Sequence, residues 1–185
     1  MNFLYSEPQQ KFTGEQMEAH WAAKNYDLTG DCVVAFQGPC QVLEKYFFNI
    51  RHIRKKSVVE SEAMLHFVIE HFDSDLEKAF LRQKLFLSIL KDKLNHRLKG
   101  DVLQRWGDNI YDGDAKLTIA AVTKTSVSTK LHIGINVKGQ NAPVKTKGLA
   151  DYNVDPVELA QVVMNQYKLD IRRIVERKTQ TRALG

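Results

Sequence analysis

The chain has 185 residues, 27 Lys and Arg against 22 Asp and Glu, and a formal net charge of +5. That length suits a single domain, 1–185, with a sizeable core. The mild positive charge permits a polyanion partner without demanding one. No run of about 18 apolar residues is present, which argues against a membrane-spanning helix. Met1 to Glu7 has neither the basic nor the apolar region of a secretory signal, so a cytoplasmic protein with no membrane partner is expected. The two cysteines, Cys32 and Cys40, are too few for a disulfide framework and lack zinc-site spacing, and they are expected to stay reduced.

In chain order, Met1 to Ser6 reads as a strand. Thr13-Gly14-Glu15-Gln16 has a capping-box pattern and predicts a helix to about Lys24, with Met17 and Trp21 on its apolar face. Asp31 to Phe36 predicts a central strand, apolar on both sides, which Gly38-Pro39 ends in a turn. Arg51 to Lys56 is a basic cluster that suits either a solvated edge or contact with phosphate. A second cluster lies at Arg172 to Arg182.

The stretch from Ser57 or Ser61 to Phe72 predicts a helix on which Glu62, His66 and Glu70 share one face. That row is compatible with a surface stripe or with a divalent metal, and it lacks the zinc-protease pattern. Ser74-Asp75-Leu76-Glu77 opens a long helix to about Leu98, with Leu81, Leu85 and Ile89 in one apolar row and Leu87, Leu90 and Leu94 widening it. Gly100 ends it. Asn141 to Gly148 reads as a loop, and Asp155-Pro156-Val157-Glu158 starts a closing helix to about Arg177.

Between these helices, Val102 to Val137 holds three β-prone runs that concentrate Arg105, Asp108, Asn109, Lys116, His132 and Asn136 among β-branched and aromatic residues. So many polar groups on neighbouring strands predict a pocket lining. The hairpin-like order predicts an α+β fold, with a mixed, mainly antiparallel sheet packed by helices. Neither a Gly-x-Gly-x-x-Gly after a strand nor a P-loop is present.

The central stretch resembles the signature of the biotin and lipoate protein ligase superfamily, which shares its fold with class II aminoacyl-tRNA synthetases. Arg105-Trp106-Gly107-Asp108-Asn109 resembles the ligases' Lys/Arg-Trp-Pro-Asn-Asp, Ala115-Lys116-Leu117 their Arg-Lys-Leu, and Gly134-Ile135-Asn136-Val137 their Gly-Ile-Asn-Val run. Lys116 and Asn136 are also spaced much as in the related octanoyl transferases. Gly107 stands in place of proline, and the ligases' Gly-Arg-Gly-Arg-Arg-Gly loop has no counterpart between Gly38 and Lys56. The transferases' nucleophilic cysteine has none between Pro143 and Asp151. The wider chain resembles a small uncharacterised domain family near that superfamily, through Thr13-Gly14-Glu15-Gln16, Gly38-Pro39-Cys40 and Met64-Leu65-His66-Phe67.

The resemblance implies a ligase or acyl/aminoacyl transferase that uses ATP with Mg on a small carboxylate. In the resembled ligases the lysine that Lys116 matches contacts acyl and phosphate groups, Asp108 and Asn109 would bond the ligand, and Arg105 or Asn136 would support the pocket. A half-buried lysine can hold a phosphate or carboxylate as a cation, or serve as a base when burial lowers its pKa, whereas an exposed strand lysine does neither. His132 suits either acid/base work or a structural hydrogen bond. The alternatives are a non-catalytic ligand- or RNA-binding module of the same fold, with RNA on the basic segments, and a sheet-edge homodimer.

Overall fold

In the computed structural model, residues 1–47, 50–55, 60–139 and 144–184 are described, without the side chains of Arg51, His52 and Lys55. Five strands form the main sheet: β1 (Asn2–Ser6), β2 (Cys32–Gln41), β3 (Glu60–His71), β7 (Thr118–Lys124) and β8 (Thr129–Asn136). Their order is β1-β2-β3-β8-β7, with β1 parallel to β2 and the other pairs antiparallel. A second sheet is built from β4 (Gln104–Trp106), β5 (Asn109–Asp112) and β6 (Ala115–Lys116). The α+β architecture with a mixed, mainly antiparallel sheet agrees with expectation.

Two long helices, α3 (Leu76–Leu98) and α4 (Pro156–Gln180), cover one face of the main sheet. Asp155 caps α4 by accepting from the Glu158 amide at 2.8 Å. On α3 the cap is Asp75, one residue past the expected serine, and it accepts from the Lys78 amide at 2.9 Å. Phe86, Leu87, Leu90 and Leu94 of α3 meet Leu65, Phe67 and Ile69 of β3 and Leu131, Ile133 and Ile135 of β8, whereas Leu81 lies exposed.

The opposite face is covered by the N-terminal segment. Phe12, Met17, Trp21 and Ala22 pack there on Cys32, Val34, Phe36, Met64 and Val68. The capping-box pattern is half realised, since the Gln16 side chain accepts from the Thr13 amide at 3.1 Å. It opens only a 3-10 turn, Glu15–Met17. A left-handed His20 (φ 59°) then redirects the chain into the short helix α1 (Trp21–Tyr26) instead of one helix to Lys24.

The expected helix from Ser57 or Ser61 to Phe72 is the strand β3. Its alternate residues enter two different cores, which gives the continuous apolar run of a strand buried on both sides. Glu62, His66 and Glu70 still share a face, because a spacing of four satisfies a period of two as well. Gly38-Pro39 likewise does not end β2. The strand passes through both residues with a register irregularity between Gly38 and Cys40, where proline's missing amide is tolerated. Of the basic cluster, Ile50–Lys55 forms the short helix α2, while the side chains of Arg51, His52 and Lys55 and all of Lys56 lie outside the described residues. So do residues 141–143 of the expected loop.

The crossing that carries Phe12 over the sheet depends on Gly38. The amides of Gln10 and Phe12 donate to Gln37 and Pro39 at 2.9 Å each, and a Cβ on Gly38 would stand 2.1 Å from the Gln10 carbonyl oxygen. Elsewhere His71 ties the sheet to α4: its Nδ1 donates to Asp31 at 2.8 Å, and its Nε2 accepts from the Tyr167 hydroxyl at 2.9 Å. Burial alone would raise the Asp31 pKa. The bonds from His71 and the Phe72 amide overcome that and hold it at about 2. Burial lowers the pKa of His71, takes that of His66 to about 4, and holds that of His132 well below the ordinary value.

Two outcomes follow. Gly38→Ala should destabilise the protein by about 1–3 kcal/mol, since the obstacle is backbone and cannot turn aside. An unchanged urea midpoint would refute the close crossing. Histidines with lowered pKa make the unfolded chain bind more protons below pH 6.5. Stability should therefore be level above pH 7 and fall from 6.5 toward 4, by up to about 1.4 kcal/mol per pH unit for each histidine kept neutral. Asp31 adds a loss of its own from pH 3.8 down to about 2. Equal urea midpoints at pH 7.5 and 5.5 would contradict this reading.

Candidate functional site

The three strands β4 to β6 are joined by two-residue turns, Gly107-Asp108 between the paired Trp106 and Asn109, and Gly113-Asp114 between Asp112 and Ala115. Gly107 (φ 60°) and Gly113 (φ 56°) take the left-handed region while the aspartates do not, which is the type II′ pattern that demands glycine first. Glycine in place of the ligases' proline is therefore required by the turn. Period-two alternation turns Leu103, Ile110, Ala115 and Leu117 into the protein. Gln104, Trp106, Tyr111 and Lys116 lie on the outer face.

Lys116 is held by its backbone. Its amide donates to the Lys145 carbonyl at 2.9 Å, and its carbonyl accepts from the Lys147 amide at 3.2 Å and from the Asn136 side chain at 3.4 Å. The same Asn136 amide group donates to the Lys147 carbonyl at 3.4 Å. Asn136 thus fastens the hairpin sheet to β8. The Lys116 ammonium is half-buried and has no hydrogen-bond or ion-pair partner among the described residues. Burial lowers its pKa. Its neighbours differ: Lys147 pairs with Asp112 at 2.6 Å, Lys145 with Asp114 at 3.0 Å, and Lys84 with Asp108. Asp112 also accepts from the Tyr152 hydroxyl at 2.7 Å, and the Lys147 bond holds its carboxyl below the ordinary value.

The remaining residues singled out by sequence lie in two other places. Arg105, Asp108 and Asn109 shape the hairpin tip. Arg105 donates to the Gly107 carbonyl at 2.8 Å and lines an open cleft of about 440 Å³ with Lys91, Asn95, Asp101 and Gln104. Lys84 of α3 grips the tip through Asp108 and the Gly107 carbonyl. The Asn109 amide, oriented to satisfy both of its ends, donates to the Thr118 carbonyl at 2.6 Å.

His132 is only 2% exposed, on the face of the main sheet that Phe12 covers. The Phe12 ring stacks on it at 3.6 Å between centroids. His66 bridges inward: its Nε2 donates to the Gly38 carbonyl at 3.1 Å, which leaves its Nδ1 to accept from His132 Nε2 at 3.0 Å. Nearby, Glu70 accepts from Lys130 at 3.1 Å, Ser128 at 2.7 Å and the His20 amide at 3.0 Å. His66 and Glu70 are therefore engaged in protein contacts. Among the described residues, no group of three or more His, Cys, Asp or Glu is arranged to hold a metal.

The structure thus joins Lys116 to Asn136, keeps Arg105, Asp108 and Asn109 at the hairpin tip, and seals His132 beneath Phe12. Sequence reasoning missed Trp106 and Tyr111 as a pair, with ring centroids 6.1 Å apart. It also missed the Asp112–Lys147–Tyr152 group. The aromatic pair had a signal in the two β-prone segments around Gly107-Asp108, while the Asp112 group joins residues 40 positions apart and had none.

Comparison with known structures places this geometry. A protein of unknown function from Pyrococcus horikoshi superposes with a TM-score of 0.91 at 28% identity, over 99% of this chain and all of the other. The Aquifex aeolicus biotin protein ligase solved with biotin and ATP gives 0.61 at 12% identity, over 95% of this chain and 72% of the ligase. A putative lipoate protein ligase from T. acidophilum with bound lipoic acid gives 0.61 at 10% identity, over 92% and 86%. The fold is that of the biotin and lipoate ligases. By sequence, an uncharacterized protein of Methanocaldococcus jannaschii is 33% identical over 177 residues, 91% of this chain and 79% of that protein. The chain belongs to the family described as Domain of unknown function (DUF366), which matches residues 1–182.

Proposed function

We propose that this protein binds a small carboxylate or its adenylate at Lys116 and acts as a ligase or acyl/aminoacyl transferase. The observation that carries the proposal is the half-buried Lys116 ammonium, without a partner among the described residues, on a strand fixed at its backbone by Asn136 and by Lys145 and Lys147. A partly desolvated cation with no counter-ion is disfavoured alone and gains most from an anionic ligand. Relatives in fold have been solved with biotin and ATP, and with lipoic acid, which supports a carboxylate and a nucleotide here.

In this reading Lys116 neutralises negative charge as a carboxylate oxygen and a phosphate approach each other, and Asn136 keeps the lysine's strand in place. The hairpin carboxylates Asp108, Asp112 and Asp114 are each paired with a lysine. Those three carboxylates would not hold magnesium, which would come with the nucleotide's phosphates. A cysteine-based transfer has no support among the described residues, because Cys32 and Cys40 are buried on β2 and burial pushes their pKa up to about 11 and 12. His132, sealed under Phe12, has a structural role in this scheme. A non-catalytic binding module of the same fold is the second reading, favoured by that sealed histidine, and it uses the same lysine.

Thermal melting tests the proposal. ATP with Mg, or a carboxylic acid such as biotin, lipoate or octanoate, should raise the melting temperature by several degrees near saturation, about 2.7 kcal/mol at a hundredfold excess over Kd. Lys116→Ala should fold normally, since its anchoring bonds use only the backbone, and should lose that shift. The proposal fails if none of these ligands moves the wild-type transition. Turnover with ATP, measured as pyrophosphate release, separates the ligase from the binding module.

A further inference from the structure

We infer that the outer face of the hairpin sheet is a platform for the unpaired nucleotides of a nucleic-acid strand, with Trp106 and Tyr111 as stacking surfaces and Lys116 as a phosphate contact. Trp106 is 80% exposed, an unusual position for the largest apolar side chain, at the mouth of a turn that α3 holds through Lys84. Tyr111 stands diagonally beside it, 6.1 Å between centroids and tilted by 57°. Two rings at that angle cannot share one base, so each offers its own stacking surface. Gln104, exposed on the same face and paired with Tyr111, supplies an amide for base edges.

Charge selects the occupant. Between Gln104 and Lys116 the carboxylates are Asp108, Asp112 and Asp114, and each is neutralised by a lysine from another segment. Lys116 is the cation that this stretch carries on the outer face. It sits directly across from Tyr111 and has no partner among the described residues, whereas Arg105 pairs with the inward Ile110 and lies on the opposite face. Two outward aromatic rings beside a cation without a counter-ion fit a strand whose bases stack and whose phosphates are charged. An apolar protein partner would leave that cation without counter-charge. The inference shares Lys116 with the reading above but rests independently on Trp106, which the carboxylate reading does not use.

The test is fluorescence anisotropy of the full chain with a labelled single-stranded RNA of roughly 12 nucleotides and with a duplex of the same sequence, in about 100 mM salt. Binding should favour the single strand. Trp106→Ala should weaken it roughly tenfold or more and leave its salt dependence unaltered, and its melting temperature should stay close to wild type because the ring is exposed. Lys116→Gln should reduce the slope of log affinity against log salt by about 0.7, as one lost phosphate contact does on a single strand. Absence of binding, equal or tighter binding to the duplex, or binding that Trp106→Ala leaves unchanged would each overturn the inference. The carboxylate reading is scored separately, by the melting shift of the wild-type protein with acid and ATP.

Discussion

A sheet buried on both faces must satisfy every polar side chain it carries from within the protein, and that constraint orders this structure. Strands β2, β3 and β8 lie between α3 and α4 on one side and the N-terminal segment on the other. Their polar residues are accordingly matched to each other: Glu70 with Lys130 and Ser128, His66 with His132 and Gly38, His71 with Asp31 and Tyr167. The Glu70–Lys130 pair, both almost wholly buried, also takes the His20 amide and so fastens the N-terminal segment to the sheet. Removing either partner leaves a bare charge in the core, which costs far more than the intact pair contributes.

The same constraint explains where chemistry remains available. Residues that look reactive in isolation, such as His132, Glu70, Cys32 and Cys40, are locked into the core by contacts or by burial. The three-stranded hairpin sheet has only one face against the protein. Ile110, Ala115 and Leu117 fill that face, and Trp106, Tyr111 and Lys116 occupy the other. Asn136 links the two regions, with its side chain at the end of β8 and its bonds to the backbone beside Lys116. The sheet thus presents a lysine that is fixed at its root and, among the described residues, unneutralised at its tip, the preorganisation that ligand binding rewards.

Much of the architecture was legible because local signals agreed with the tertiary outcome. Asp155-Pro156 capped α4, the leucines from Leu87 to Leu94 faced the core, and Cys32 to Phe36 read as a two-sided strand. The misreadings share a cause. β3 carries its apolar residues on both faces and its polar ones four apart, a spacing that helix and strand fit equally, so only its neighbours could decide. Gly38 and His20 were decided by the passing backbone of Gln10 and by a left-handed φ, neither of which periodicity reveals. For the site, Lys116 and Asn136 came from the resemblance, and their proximity is real. That Lys116 is unpaired among the described residues while Lys145 and Lys147 are paired depends on which aspartates the turns bring near, and this is a property of the folded chain.

The central claim, that Lys116 is a partly buried cation available to an anionic ligand, is tested most directly by competitive amine labelling at pH 8 with peptide-level mass spectrometry. The lowered pKa and partial exposure of Lys116 predict acylation faster than that of Lys130, which is buried against Glu70, and of Lys147, whose hydrogen bond to Asp112 raises its pKa. Added carboxylate or ATP should protect Lys116 selectively. Labelling of Lys116 as slow as that of Lys130, or no slower with ligand present, would contradict the account.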